Sequence, residues 1–298
     1  TIEAKDTDGD EVLADGDDSG NGGSSVVGAY QINVGLNTYV DGSGWGNNAW
    51  NFGAWGEAPT VSSANQLRLW NQDNFGEDLI ANVRGGGVYY WDSSVGVDTR
   101  AVNITSITDA SDAPTTALHT MVSDIDKHVI CFGVNTLGSA TLDPLLVRWS
   151  DQESAIDWTP TATNSAGGVR IEQGSQIVGA LQTRQEILIW TDNSLHSMRF
   201  IGGAFVFQFV LLSYNISMIS PNAAANVRGS VYFMDRGGFY IYNGAVQPLP
   251  CSVRDHVFSN LNLGQAYKVY AATNLDFSEV TWFYPIGESD TEITNYVT

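Results

Sequence analysis

Apolar residues along this chain of 298 residues fall in short runs, and no stretch keeps a 3.6-residue period for more than two turns. Period-2 alternation and brief unbroken runs of Val, Ile, Tyr, Phe and Trp dominate, bounded by Gly, Asp and Asn. That is the pattern of strands joined by tight turns. Several pairs of runs read as hairpins. Ile187 to Trp190 turns through Thr191-Asp192-Asn193-Ser194 into Leu195 to Phe200, and Val231 to Met234 turns through Asp235 to Gly238 into Phe239 to Tyr242. Val129 to Phe132 leads by a longer loop to Leu145 to Trp149, and Val280 to Tyr284 leads to Glu292 to Val297.

One segment recurs. Ala81-Asn82-Val83-Arg84-Gly85 opens into an aromatic strand, Val88-Tyr89-Tyr90-Trp91. Ala225-Asn226-Val227-Arg228-Gly229 does the same into Val231-Tyr232-Phe233-Met234, with a turn one residue shorter. Taking inner strands centred on Tyr90, Cys131, Ile189, Phe233 and Trp282, the units lie roughly 40 to 60 residues apart, the pitch of propeller blades. The fold predicted is all-β: a β-propeller of repeated antiparallel hairpins and four-stranded blades over residues 42–298. Residues 1–41 are predicted to be the trailing fragment of a separate β domain, barrel- or platform-like, with an acidic Gly-rich loop (Asp6 to Ser25) and a strand at Val26 to Val34.

Composition narrows the partners. Thirty-one glycines suit many tight turns. Asp and Glu number 33 against 13 Lys and Arg, a formal net charge of -20. Salt-dependent binding to phosphates needs clustered Lys and Arg, so the chain is expected to repel DNA. The longest apolar stretch, Phe205 to Leu212, is interrupted by Gln208 and falls well short of the ~20 residues that span a bilayer. Cys131 and Cys251 sit in apolar surroundings and are expected to be buried thiols without a bridge. Thr1 opens inside a polar segment and Thr298 closely follows a strand-like pair, so both ends are expected to be cuts in a longer chain.

Candidate chemistry is sparse. Asp6, Asp8 and Asp10 with Asp17 resemble a calcium loop, but Glu11 occupies the position that requires glycine, and a solvated acidic turn is expected instead. Trp45, Trp50 and Trp55 stand in a Gly-rich segment and are candidate interface residues, able also to stack on sugars. Arg148 to Pro160 resembles the Asp-box turn of sialidase-type propellers without its glycine or spacing. His119, His128, His196 and His256 form no metal-ligand pair, and neither a nucleophile elbow nor a phosphate loop is present. No catalytic residue, metal or cofactor is expected.

The order of motifs resembles the tail nozzle (tail tubular B-like) proteins of podovirus-type bacteriophages. Those carrying the resemblance are Gly44-Trp45-Gly46, Asn74 to Ala81, Arg84 to Trp91, Arg148 to Asp151, Ile189 to Asp192, Met198 to Gly203, Ile219 to Ala223 and Gln247 to Asp255. The resemblance implies a non-enzymatic virion protein that forms a hexameric ring below the head-to-tail adaptor. It also implies contact with tail fibres and a channel through which DNA passes without specific binding. Two other readings have different signatures. A carbohydrate- or receptor-binding propeller would expose the tryptophan cluster, and a sialidase-like hydrolase would gather arginines around a central pocket.

Overall fold

The computed structural model describes residues 69–97, 99–124, 126–203, 205–287 and 292–298. The boundary expected near Gly42, the strand expected at Val26 to Val34, the acidic turn and the Trp45, Trp50 and Trp55 cluster lie outside these residues.

Five antiparallel sheets follow one another along the chain. The first contains β1 (Trp70–Phe75), β2 (Asp78–Val83), β3 (Val88–Trp91) and β4 (Val102–Asn103). The second contains β5 (Ala117–Val122), β6 (Val129–Asn135), β7 (Leu142–Trp149) and β8 (Gly167–Arg170). The third contains β9 (Ile177–Gln182), β10 (Ile187–Thr191), β11 (Ser194–Phe200) and β12 (Phe207–Tyr214). The fourth contains β13 (Ala224–Val227), β14 (Ser230–Met234), β15 (Phe239–Tyr242) and β16 (Val246–Pro248). The fifth has three strands among the described residues, β17 (Tyr270–Asn274), β18 (Glu279–Tyr284) and β19 (Asn295–Val297). A short helix, α1 (Arg254–Asn260), lies between the last two sheets. In every sheet the strands pair in chain order, and β1, β5, β9, β13 and β17 all line one axial cavity. The fold is a five-bladed β-propeller.

Hydrophobic seams between blades hold it together. Ile80, Val88 and Ile104 of the first blade pack with Val129, Cys131, Val134 and Trp158 of the second. Ile130, Phe132, Val147 and Trp149 pack with Ile177, Ile187, Ile189 and Met198 of the third. Leu188 and Trp190 then join Phe233, Met234 and Phe239 of the fourth and Trp282 of the fifth. Successive residues of one strand therefore serve opposite seams: Ile187 and Ile189 face the second blade, Leu188 and Trp190 the fourth. Burial on both faces explains the unbroken apolar runs of β6 and β10.

The alternation in β6 is reset at Gly133, where φ is 57°. The register of β6 with β5 is unbroken there, whereas three residues of β7, 144–146, stand opposite Gly133 alone. Val134 shares the seam of Val129 and Cys131. A Cβ on Gly133 would lie 2.5 Å from Leu118 Cδ1. Gly133→Ala is therefore expected to destabilise the fold by about 1–3 kcal/mol. Urea unfolding checks this; an unchanged midpoint would mean that β5 yields without loss.

Two sequence expectations are corrected. The inner strands are not those centred on Tyr90, Cys131, Ile189, Phe233 and Trp282. Tyr90 lies on the third strand of its blade and the other four on second strands, while the first strands face the axis. The Asn-Val-Arg-Gly repeat also does not mark equivalent blade positions. Its first copy joins β2 to β3, and its second joins β13 to β14. The backbones differ as well. In the second copy Arg228 and Gly229 both take positive φ, as a two-residue hairpin requires, whereas in the first only Gly85 does. The tetrapeptide encodes a turn, and neighbouring strands decide where in a blade it falls.

Candidate functional site

The five first strands enclose an axial cavity of about 560 Å³. Each pairs with a second strand on one side only, so the other edge presents backbone N–H and C=O groups toward the axis. Side chains from neighbouring blades satisfy many of them. Asp73 Oδ2 accepts from the Val122 amide at 2.8 Å, joining the first blade to the second. Asn226 Nδ2 of the fourth donates to the Gln182 carbonyl of the third. Asn82 Nδ2 donates to the Ala117 carbonyl, and Ser220 Oγ to the Val269 carbonyl.

Arg84 reaches furthest. It extends from the β2–β3 turn, donating through Nη1 to the Leu118 carbonyl and through Nη2 to the Ile177 carbonyl, both at 3.2 Å. Its guanidinium also lies over the Tyr267 ring, just ahead of β17. One side chain thus links the first blade to the second, the third and the approach to the fifth across the axis. The cavity wall adds Asn71, Gln72, Thr120 and Asn222, with the half-exposed rings of Trp70 and Tyr270. Its wall mixes these polar groups with apolar ones, among them Met121, Leu181 and Pro221. Among the described residues, no group of three His, Cys, Asp or Glu side chains is placed to hold a metal ion.

A second network joins the third and fourth blades. The Glu186 carboxylate accepts from Ser197 Oγ, from Arg199 Nε at 2.9 Å and from Tyr242 Oη of β15 at 2.6 Å. Burial alone would raise the Glu186 carboxyl, but these donors outweigh it and hold it below its ordinary value. The Tyr242 hydroxyl is pushed up to about 12 by burial and by the carboxylate it serves.

A third lies at the end of the second blade. Asp126 and His128 are both buried, with the Asp126 carboxylate on His128 Nδ1, while Nε2 lies 3.0 Å from Ser165 Oγ. The order Asp–His–Ser resembles a nucleophile relay. However, Ser165 Oγ accepts from the Gln152 amide at 2.9 Å and donates to Asp151 Oδ1 at 2.6 Å. Its single proton is committed to a carboxylate, so the group braces two loops. Phe207, which begins β12, packs edge-on against His128 and Trp149 at 5.2 and 5.0 Å, so the β11–β12 hairpin of the third blade clasps the second.

The arginines that a sialidase-like site would gather are dispersed. Arg148 donates to the Asn135 and Asp112 carbonyls and lies over Trp158; Arg170 pairs with Asp143, Arg199 with Glu186, and Arg254 donates to the Gly237 carbonyl. The segment resembling an Asp-box is a bracing connection, with Asp157 accepting from Ser111 and Asn164. Cys131 is buried and Cys251 half-buried, both as free thiols, and burial pushes the Cys131 thiol up to about 12. Of the axial network, Arg84 and Asn226 belong to the two copies of the Asn-Val-Arg-Gly repeat, whereas Asp73 belongs to no motif of the sequence.

His119 of β5 is buried beside Phe132, and its Nδ1 has no hydrogen-bond partner among the described residues. Burial, reinforced by the positive field of Arg84, pushes its imidazole down to about 3. The unfolded chain takes up a proton near pH 6.5 that the folded chain refuses, so stability falls as pH drops from about 6.5 toward 3. Between pH 7 and 4.5 the wild-type chain should lose about 2 kcal/mol more than His119→Gln. Urea unfolding at the two pH values measures the difference; equal losses would place a charged imidazole in the fold.

No protein-family model and no curated protein matches the chain. Among solved structures, it is similar to the extracellular domain of the putative one component system BT4673 from B. thetaiotaomicron. The identity is 14% over 75% of this chain and 27% of that one, with a TM-score of 0.44. PorZ, a surface component of the type-IX secretion system of Porphyromonas gingivalis, is 12% identical over 74% of this chain and 31% of that one, with a TM-score of 0.43. BBS1N, solved in complex with ARL6DN, is 10% identical over 80% and 63%, with a TM-score of 0.41. The chain spans less than a third of the first two, and likeness at this level carries no argument about function.

Proposed function

We propose that the chain is a structural, non-catalytic subunit of a short bacteriophage tail, part of the distal nozzle below the head-to-tail adaptor. The observation that carries this reading is the ordered set of motifs, from Gly44 to Asp255, resembling tail nozzle proteins. Several of them fall on braces of the propeller. Trp149 Nε1 donates to the Ser165 carbonyl and Asp151 accepts from Ser165, while Ser220 and Asn222 tie the fourth blade to Val269 and Ala271. A subunit whose polar side chains are spent fastening blade to blade suits a particle that bears load.

In this reading six copies form a ring that meets the adaptor on one side and tail fibres on another. Because Arg84 spans the propeller's own axis, DNA passes through a channel enclosed by several copies rather than through one propeller. The acidic surface lowers friction by repelling the phosphates. Antibodies against the chain should decorate the tail tip of virions that carry it, with six-fold symmetry in averaged end views. Label on the head, or none on intact virions, would overturn the reading. The purified chain should also leave duplex DNA unretarded in gels at 50 mM salt, and a retarded band would remove the low-friction wall.

A further inference from the structure

Outer strands of propeller blades expose a row of unpaired backbone groups, and proteins protect such edges with short strands, charges, proline or bulges. In three of the four four-stranded blades the outer strands are short among the described residues. β4 has two residues, β8 has four and ends in Arg170, and β16 has three and ends in Pro248. The exception is β12, eight residues from Phe207 to Tyr214, which pairs only with β11 among the described residues. A one-residue bulge interrupts it at Leu212, leaving Phe207 to Leu211 in unbroken register, longer than β4, β8 or β16.

Chemistry adds to length. No charged residue occurs between Arg199 and Arg228, although the chain as a whole carries -20. Val210 and Tyr214 of β12 are exposed, and so are Phe200, Ile201 and Phe205 at the tip of the same hairpin, Phe205 to 77%. The edge therefore combines open backbone groups, apolar side chains and a local absence of charge.

We propose that the β12 edge and its hairpin tip form a self-association surface, to which a neighbouring copy of this chain adds a strand edge. The occupant follows from charge and backbone chemistry. Two bodies of the same strongly acidic chain repel one another wherever their charged faces meet, so contact is favoured where charge is missing. A strand edge also offers alternating donors and acceptors, which another edge of the same chain can match. The inference concerns copy-to-copy contact and so rests on the ring reading, but it names a surface which that reading leaves open.

Sedimentation velocity and negative-stain images of the purified chain, from 1 to 200 µM, test it with two variants. Val210→Lys charges the edge, Phe205→Asp charges the tip, and both positions are exposed, so the fold should survive; circular dichroism and the thermal midpoint verify this. Wild type should associate to a defined size, and each variant should weaken that association about tenfold or more. Amides of β12 should exchange more slowly in the associated form. A wild type that stays monomeric throughout, or open-ended aggregation unchanged by the variants, overturns the proposal. Rings that form equally well in both variants also overturn it while sparing the nozzle reading. Defined non-ring oligomers abolished by the variants support the surface and count against six-fold assembly.

Discussion

The first strand of a propeller blade can pair along one edge only, and five such edges meet around this axis. Backbone groups left there lose water to the crowding of the other blades and gain no ladder in return. In this chain the deficit is met by side chains that cross from blade to blade: Asp73 to the Val122 amide, Asn226 to the Gln182 carbonyl, and Arg84 to the carbonyls of Leu118 and Ile177. Because these caps come from neighbouring blades, meeting the edge problem also fixes the relative placement of the blades. The axis is therefore a fastening, and the cavity within it is what five polar edges leave between them.

Around that axis the seams follow from pleat geometry. β6 and β10 are covered on both faces and divide their side chains between two neighbours, so the cores of the second, third and fourth blades are interleaved. Two sets of polar residues that enter these seams come as closed networks. Glu186 has three side-chain donors on its two oxygens, and Asp126, His128, Ser165 and Asp151 form one continuous chain of bonds. Such networks are tolerated in a dry interior because their members are paired.

Much of this was legible in the sequence. The hairpins at Ile187 to Phe200 and Val231 to Tyr242 stand where the alternation and turn residues put them, because both turn chemistry and apolar content are strong there. The innermost strands were not legible. β1 reads Trp-Asn-Gln-Asp-Asn-Phe, and much of β17 is exposed, so their polarity resembles that of loops although their backbones are regular. The Asn-Val-Arg-Gly repeat misled for the opposite reason: its signal is local and real, but a turn says nothing about how many strands precede it. Arg84 and Asp73 act on partners 34 and 49 residues away, a relation no spacing rule encodes.

The aromatic clasp that Phe207 makes on Trp149 and His128 bears on how such a chain can change its blade count. A hairpin that leans on the preceding blade is no longer a self-sufficient module. Excising or duplicating the third blade would leave an aromatic hook without its seat, or two hooks competing for one. Gain or loss of a blade at this junction therefore forfeits an aromatic contact, which couples the second blade to the third.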